Sequence, residues 1–193
     1  MIINKAMSTD AVAANVQKGK NVAEGIRGGG VFKVECFDSE GNHKWTTQSP
    51  NLVVNVGLKD MNDKYFSGSS YTATWFLGLY GAAATNDPAA GDTAASHAGW
   101  TEVTDYSQAT RPACTFGAAT TADPSVIDNS ASVAVFSING TTTVGGAFLI
   151  SNSTKGGTTG VLFSAADFQS PGDRSVVSGD TLNVTYQFSL DAA

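Results

Sequence analysis

The sequence predicts a mainly β protein: an antiparallel β-sandwich or jelly-roll-like domain over residues 31–193, with one short helix, preceded by an extended N-terminal arm over residues 1–30. Three observations lead there. Short apolar runs recur from residue 31 to the C-terminus, separated by turn sequences such as Asn139-Gly140, Lys155-Gly156-Gly157 and Ser178-Gly179-Asp180. Only one segment shows the three- and four-residue apolar period of a helix, so a doubly wound α/β fold lacks the helices it would need between strands. Charged residues make up 15% of the chain, against about 25% in ordinary soluble domains. The surface is left to Thr, Ser, Gly, Ala and Asn, which suit strands and their turns.

In chain order, residues 1–30 carry small scattered apolar side chains and end on Gly25-Ile-Arg-Gly-Gly-Gly30. Ser8-Thr9-Asp10 offers caps for a short helix through Gln17, which would be marginal alone. The segment reads either as a disordered leader or as an arm that orders on a partner, with the glycines as hinge. The run VFKVECF, 31–37, alternates cleanly: Phe32, Val34 and Cys36 on one face, Lys33 and Glu35 on the other. Residues 38–42 supply turn chemistry, and HKWTTQ, 43–48, returns as the hairpin partner. Asp38 and Glu40 are then solvated turn acids, His43 stands at a strand end, and Trp45 packs across the strands. The helix is read in residues 51–68, where Leu58, Met61, Tyr65 and Val54 form an apolar stripe to be laid on the body, stopped by Gly68. Strands are expected at 72–80, 100–106, 111–117, 132–138, 144–151, 160–165 and 181–190, with a long loop from Gly81 to Gly99. Trp45, Trp75 and Trp100 belong in or beside the core, Trp75 most securely.

The charges exclude one class of partner. Net charge is −6, yet eight of the eleven basic residues lie between Lys5 and Lys64, which leaves that span at +1 and the remainder at −7. Phosphate binding needs a clustered basic face, so nucleic acid is not a direct partner. No stretch reaches the ~18 apolar residues of a membrane span, and residues 1–30 have no apolar leader core, so no membrane partner is expected.

Chemistry is sparse. The chain lacks a nucleophile elbow, an H-E-x-x-H zinc motif, a P-loop and a dinucleotide-binding fingerprint. The turn after Asp38 misses the calcium-loop pattern, because glycine comes one place early and Ser49 stands where a glutamate is needed. Cys36, His43, His97 and Cys114 are zinc-ligand types, but no two have zinc-site spacing. Asp87, Asp92, Glu102 and Asp105 are acids that could pair, with Trp100 and Tyr106 as the only nearby aromatic platforms. Cys36 and Cys114 sit among apolar residues and are expected as buried thiols. Sequons at Asn139, Asn152 and Asn183 are expected by chance in so Thr-rich a chain. No catalytic, cofactor-binding or metal-ligating residue is assigned, and no enzymatic activity or cofactor is expected.

The stretches GWTEV (99–103), TRPA (110–113) and GDTLNVTY (179–186), within a longer likeness covering most of residues 28–190, resemble small structural proteins of tailed bacteriophages. The resemblance implies a non-enzymatic virion component of the capsid decoration, or cement, type. It would be assembled in the host cytoplasm and sit on the outer capsid surface, binding the major capsid protein lattice, as a homo-oligomer, dimer or trimer. The alternative, from a different functional class, is a tail or head-fibre module that binds a host receptor or glycan through the loop 81–99, as sandwich domains often do.

Overall fold

The computed structural model describes residues 25–71, 74–81, 87–169 and 171–192. The expected helix over 8–17 and nearly all of the arm lie outside the described residues.

Among the described residues, twelve strands and one short helix form a β-sandwich. The first sheet holds β1 (Ile26–Phe37), β2 (His43–Pro50), β12 (Thr181–Ala192), β7 (Ser125–Asp128) and β8 (Ala134–Ser137), all pairings antiparallel, with β1 between β2 and β12. The second runs β3 (Leu52–Val53), β10 (Leu162–Asp167), β9 (Thr142–Ile150), β4 (Trp75–Gly81), β5 (Glu102–Val103). In it β11 (Arg174–Val176) also pairs with β9, and β6 (Ala113–Cys114) with β4. The helix α1 spans Asn55–Tyr65.

Alternation explains the inner core. Phe32, Val34 and Cys36 of β1 are fully buried, as are Leu182, Val184 and Tyr186 of β12, and they meet Leu77, Leu79, Ala147 and Leu149 from the second sheet. The outer face of the first sheet is mostly polar, with Lys33 paired to Glu35 at 2.9 Å and Val135 exposed among its neighbours. The hairpin forms as its sequence predicts, Gly41 supplying the positive φ of 85° that other residues resist.

The second sheet differs, because it is buried on both faces. Phe76 and Tyr80 of β4, Phe148 and Ile150 of β9 and Leu162 and Ala165 of β10 point away from the inner core into a second cluster, roofed by Val54, Ala94 and Trp100. Two glycines make room for the rings. A Cβ at Gly78 would stand 2.1 Å from the Phe148 ring, and one at Gly146 would stand 2.1 Å from the Tyr80 ring. Both are cross-strand partners in register, Gly78 with Phe148 and Tyr80 with Gly146, so a large ring lies over a bare neighbour twice.

Several expectations are corrected. The glycine run is no hinge: Ile26 to Gly30 belong to β1 and pair with Ala192 to Phe188. Glycine is required there, since a Cβ at Gly30 would lie 2.5 Å from the Gln187 carbonyl oxygen. The domain therefore includes Ile26 to Gly30 and does not start after them. The strands read at 100–106 and 111–117 shrink to two residues each, because buried side chains rather than ladders hold those segments. The short strands β3, β7 and β11 were not anticipated. Trp100 is the most buried tryptophan at 4% exposure, whereas Trp75 is half-buried beside the core against Phe163.

The helix is seated differently from its sequence pattern. Its one buried residue is Gly57, where a Cβ would fall 2.3 Å from the Phe163 carbonyl oxygen of β10. Backbone meets backbone, and that contact, not the apolar stripe, sets the helix's rotation. Met61 packs against the core, while Leu58 and Tyr65 of the expected inward stripe are 49% and 83% exposed.

Candidate functional site

Residues 38–42 form the turn between β1 and β2. Asp38 Oδ1 accepts the backbone N–H of Glu40 at 2.9 Å and of Asn42 at 2.8 Å, and Asp38 Oδ2 accepts Asn42 Nδ2 at 3.0 Å. These bonds, those of Asn42 first, hold the Asp38 carboxyl below its ordinary range. His43 begins β2 with Nε2 2.7 Å from Thr46 Oγ1.

The most built polar cluster lies at the second sheet's outer face, where the two short strands give out. Arg111 is 2% exposed and Glu102 8%. Their bond is bidentate: Nε donates to Oε1 at 2.8 Å and Nη2 to Oε2 at 2.7 Å. Nη1 then donates to the Asn152 carbonyl and Nη2 to that of Gly157, each at 2.9 Å, while Gly156 N–H donates to Glu102 Oε2 at 2.8 Å. A buried guanidinium needs a carboxylate and further acceptors to offset its lost hydration, and these loops supply both. The ion pair thus ties the segment around 100–111 to the loop 151–160. The sequence offers a signal for it: Arg111 is a lone cation in the apolar context T-R-P-A-C, which has to find an acid.

Beside this joint Trp100 Nε1 donates to Asp92 Oδ2 at 3.0 Å, and the same oxygen accepts Ala89 N–H at 3.0 Å. His97, read from sequence as a flexible-loop residue, stacks on Trp100 with ring centroids 3.9 Å apart and places Nδ1 2.9 Å from its carbonyl oxygen. The cluster closes over a cavity of about 10 Å³ between Ala94, His97, Trp100, Arg111 and Phe148, about the room of one water.

The four candidate acids are held apart by different partners. Asp92 serves Trp100, Glu102 serves Arg111, and Asp105 packs its side chain on Gly140. Asp87 lies with Asp173 near Asp167 and Tyr80: burial first and these two acids second raise the Asp167 carboxyl, while burial first and Asp167 second raise the Tyr80 hydroxyl. Tyr106 is fully buried, its ring under the Lys155 ammonium at 4.2 Å and edge-on to Phe136. Cys36 and Cys114 are buried free thiols, pushed up by burial to about 11 and about 12. Among the described residues no three His, Cys, Asp or Glu side chains are grouped as a metal site. No described helix is long and apolar enough to cross a membrane.

Charge is distributed unequally between joints and surface. Lys33, Lys44, Lys59, Lys64 and Arg111 are in ion pairs. Lys155 donates to the Tyr106 carbonyl, and Arg174 lies over the Trp45 ring. Arg27 alone among the described cations has no such partner among the described residues. Residues 25–192 hold eight basic and fifteen acidic side chains, a net of −7, so the charge left facing solvent is mostly carboxylate.

No family model, curated protein or solved structure matches the chain.

Proposed function

We propose that the protein is a non-enzymatic structural component of a tailed-phage particle, a decoration protein that binds the major capsid protein lattice from outside. The observation that carries this reading is the use made of the motif residues. In GWTEV, Trp100 binds Asp92 and Glu102 binds Arg111; Arg111 is the arginine of TRPA. In GDTLNVTY, Asp180 holds Lys44 and the Val177 N–H, while the Tyr186 hydroxyl, in contact with Asn51 and Ser164, bridges the two sheets. The residues that carry the resemblance are internal joints. Stiffness is what they supply, and a stiff clip repeated over a closed lattice gains its strength by avidity rather than from one tight contact. An acidic outer body suits a partner surface that presents cations, and residues 1–24, with Lys5, Lys18 and Lys20, supply the only concentration of basic residues outside it.

Quantitative mass spectrometry of purified particles tests the reading. Hundreds of copies per particle, located on the head, are expected; a few to a few tens at the tail would refute decoration and leave the receptor-binding module. A chain beginning at Gly25 keeps β1 whole, and is expected to fold normally yet bind stripped capsids much more weakly than the full chain.

A further inference from the structure

The helix α1 turns its apolar stripe outward. Leu58, Asn62, Tyr65 and Phe66 share one face by helical spacing. Leu58 is 49% exposed, Tyr65 83% and Phe66 76%, the two rings edge to face at 4.9 Å. Tyr71, 72% exposed, follows a few residues on. These four are nearly half of the nine large exposed apolar side chains of the described residues. Scattered singly they would need no explanation, but gathered in one segment they mark a contact surface.

Charge selects what covers it. The stripe's neighbours neutralise one another, Lys59 with Asp63 and Lys64 with Asp60. Elsewhere the body carries excess carboxylate, a net of −7 over residues 25–192. Two copies brought together through most other faces would set acid against acid. Through this stripe they meet as neutral apolar surfaces, each covering the other's rings. We infer that α1 is the face on which two copies of this chain associate about a two-fold axis, with antiparallel helices crossing at Asn62. That arrangement sets Leu58 of each copy near Phe66 of the other, four residues either side of the axis, and brings the two Asn62 amides together, where each has a donor and an acceptor for the other. The inference stands apart from the location of the protein on a particle.

Sedimentation equilibrium of the full chain from about 1 to 200 µM, at an ionic strength of about 0.15 M, is the test. A reversible dimer is expected, tightened by added salt because the acidic bodies are screened. Leu58→Ser/Tyr65→Ser/Phe66→Ser is expected to raise the dissociation constant at least ~100-fold, the equivalent of two decades in affinity. Its melting temperature should fall by no more than about 5 °C, since Tyr65 and Phe66 are largely exposed and Leu58 is half-exposed, leaving only helix propensity and a part of one side chain to lose. Asn62→Cys is expected to form a covalent dimer on air oxidation, the native thiols being buried. A parent chain still monomeric at the highest concentration overturns the inference and assigns the stripe to a different protein. An undiminished dimer in the triple variant, or a large loss of its melting temperature, overturns it equally.

Discussion

Gly57→Ala sets two effects of opposite sign against each other. In an ordinary exposed helical position the change stabilises, by about 1 kcal/mol, because alanine loses less backbone entropy. At Gly57 the added Cβ would lie 2.3 Å from the Phe163 carbonyl oxygen and 3.0 Å from its Cα. Reaching an ordinary contact of 3.4 Å requires a shift of about 1 Å, and the obstacle is the backbone of β10, fixed on one side by β9 and on the other by β3. No flexible side chain is there to yield. Overpacking of this kind costs about 1–3 kcal/mol, and a rigid obstacle places it at the upper end. Clash therefore wins, and a net loss of about 2 kcal/mol is expected. In a chain of this size that lowers the melting temperature by about 4–8 °C. Urea unfolding followed by far-UV circular dichroism measures it, with Asn62→Ala in the same helix as the propensity control, expected to be neutral or slightly stabilising. A Gly57→Ala protein as stable as the parent would refute the backbone seat and, with it, the stated rotation of the helix.

Arg111→Met leaves Glu102 buried without its cation and is expected to cost about 3–5 kcal/mol in thermal or urea unfolding; Arg111→Met/Glu102→Met should recover most of that, whereas no recovery would show that the loop bonds, not the charge, were lost. Trp100→Ala is expected to cost about 3–5 kcal/mol, and Trp75→Ala clearly less, by the same measurement; the reverse order would contradict the burial of these two rings. Native protein should not react with a thiol reagent at pH 8 but should yield two thiols per chain in denaturant. Both folded thiol values lie above the unfolded value of 9.0, at about 11 and about 12. Their contribution to stability is thus complete below pH 9 and is lost as pH rises through the folded values. The urea midpoint should fall from pH 9 upward, and Cys36→Ala/Cys114→Ala should remove the part of that fall that begins at pH 9.

The parts of the fold legible in sequence are those in which side-chain pattern and structure share one cause. Phe32, Val34 and Cys36 alternate because one face of β1 is buried, and Asp38 to Asn42 turn because their own side chains cap the turn. The seat of α1 was not legible, since a periodicity of apolar residues is blind to a contact made through the absence of a side chain at Gly57. The roof over the second sheet left a readable trace. WFLGLY and AFLI are apolar without alternation, as strands buried on both faces must be. The segments 100–106 and 111–117 have strand composition, yet most of their length is held by Trp100, Glu102 and Arg111, whose partners at 92 and 152–157 are distant in sequence. Of the candidate site residues, His43, Asp38 and the two cysteines stand where their local sequence places them. His97 does not, because its anchor is the ring three residues on.

The reciprocal fit of Gly78 with Phe148 and of Tyr80 with Gly146 has a consequence for divergence. Bulk on this face belongs to a pair of positions and not to either one, so a side chain gained at 78 is tolerable only if the ring at 148 shrinks, and likewise for 146 and 80. Among diverged descendants of this chain these positions should drift as two coupled couples, and exchanging the glycine and the aromatic within a couple should harm the sheet less than altering one member alone. Such paired substitution, once seen, would reveal the register of β4 on β9 to a reader with no coordinates at all.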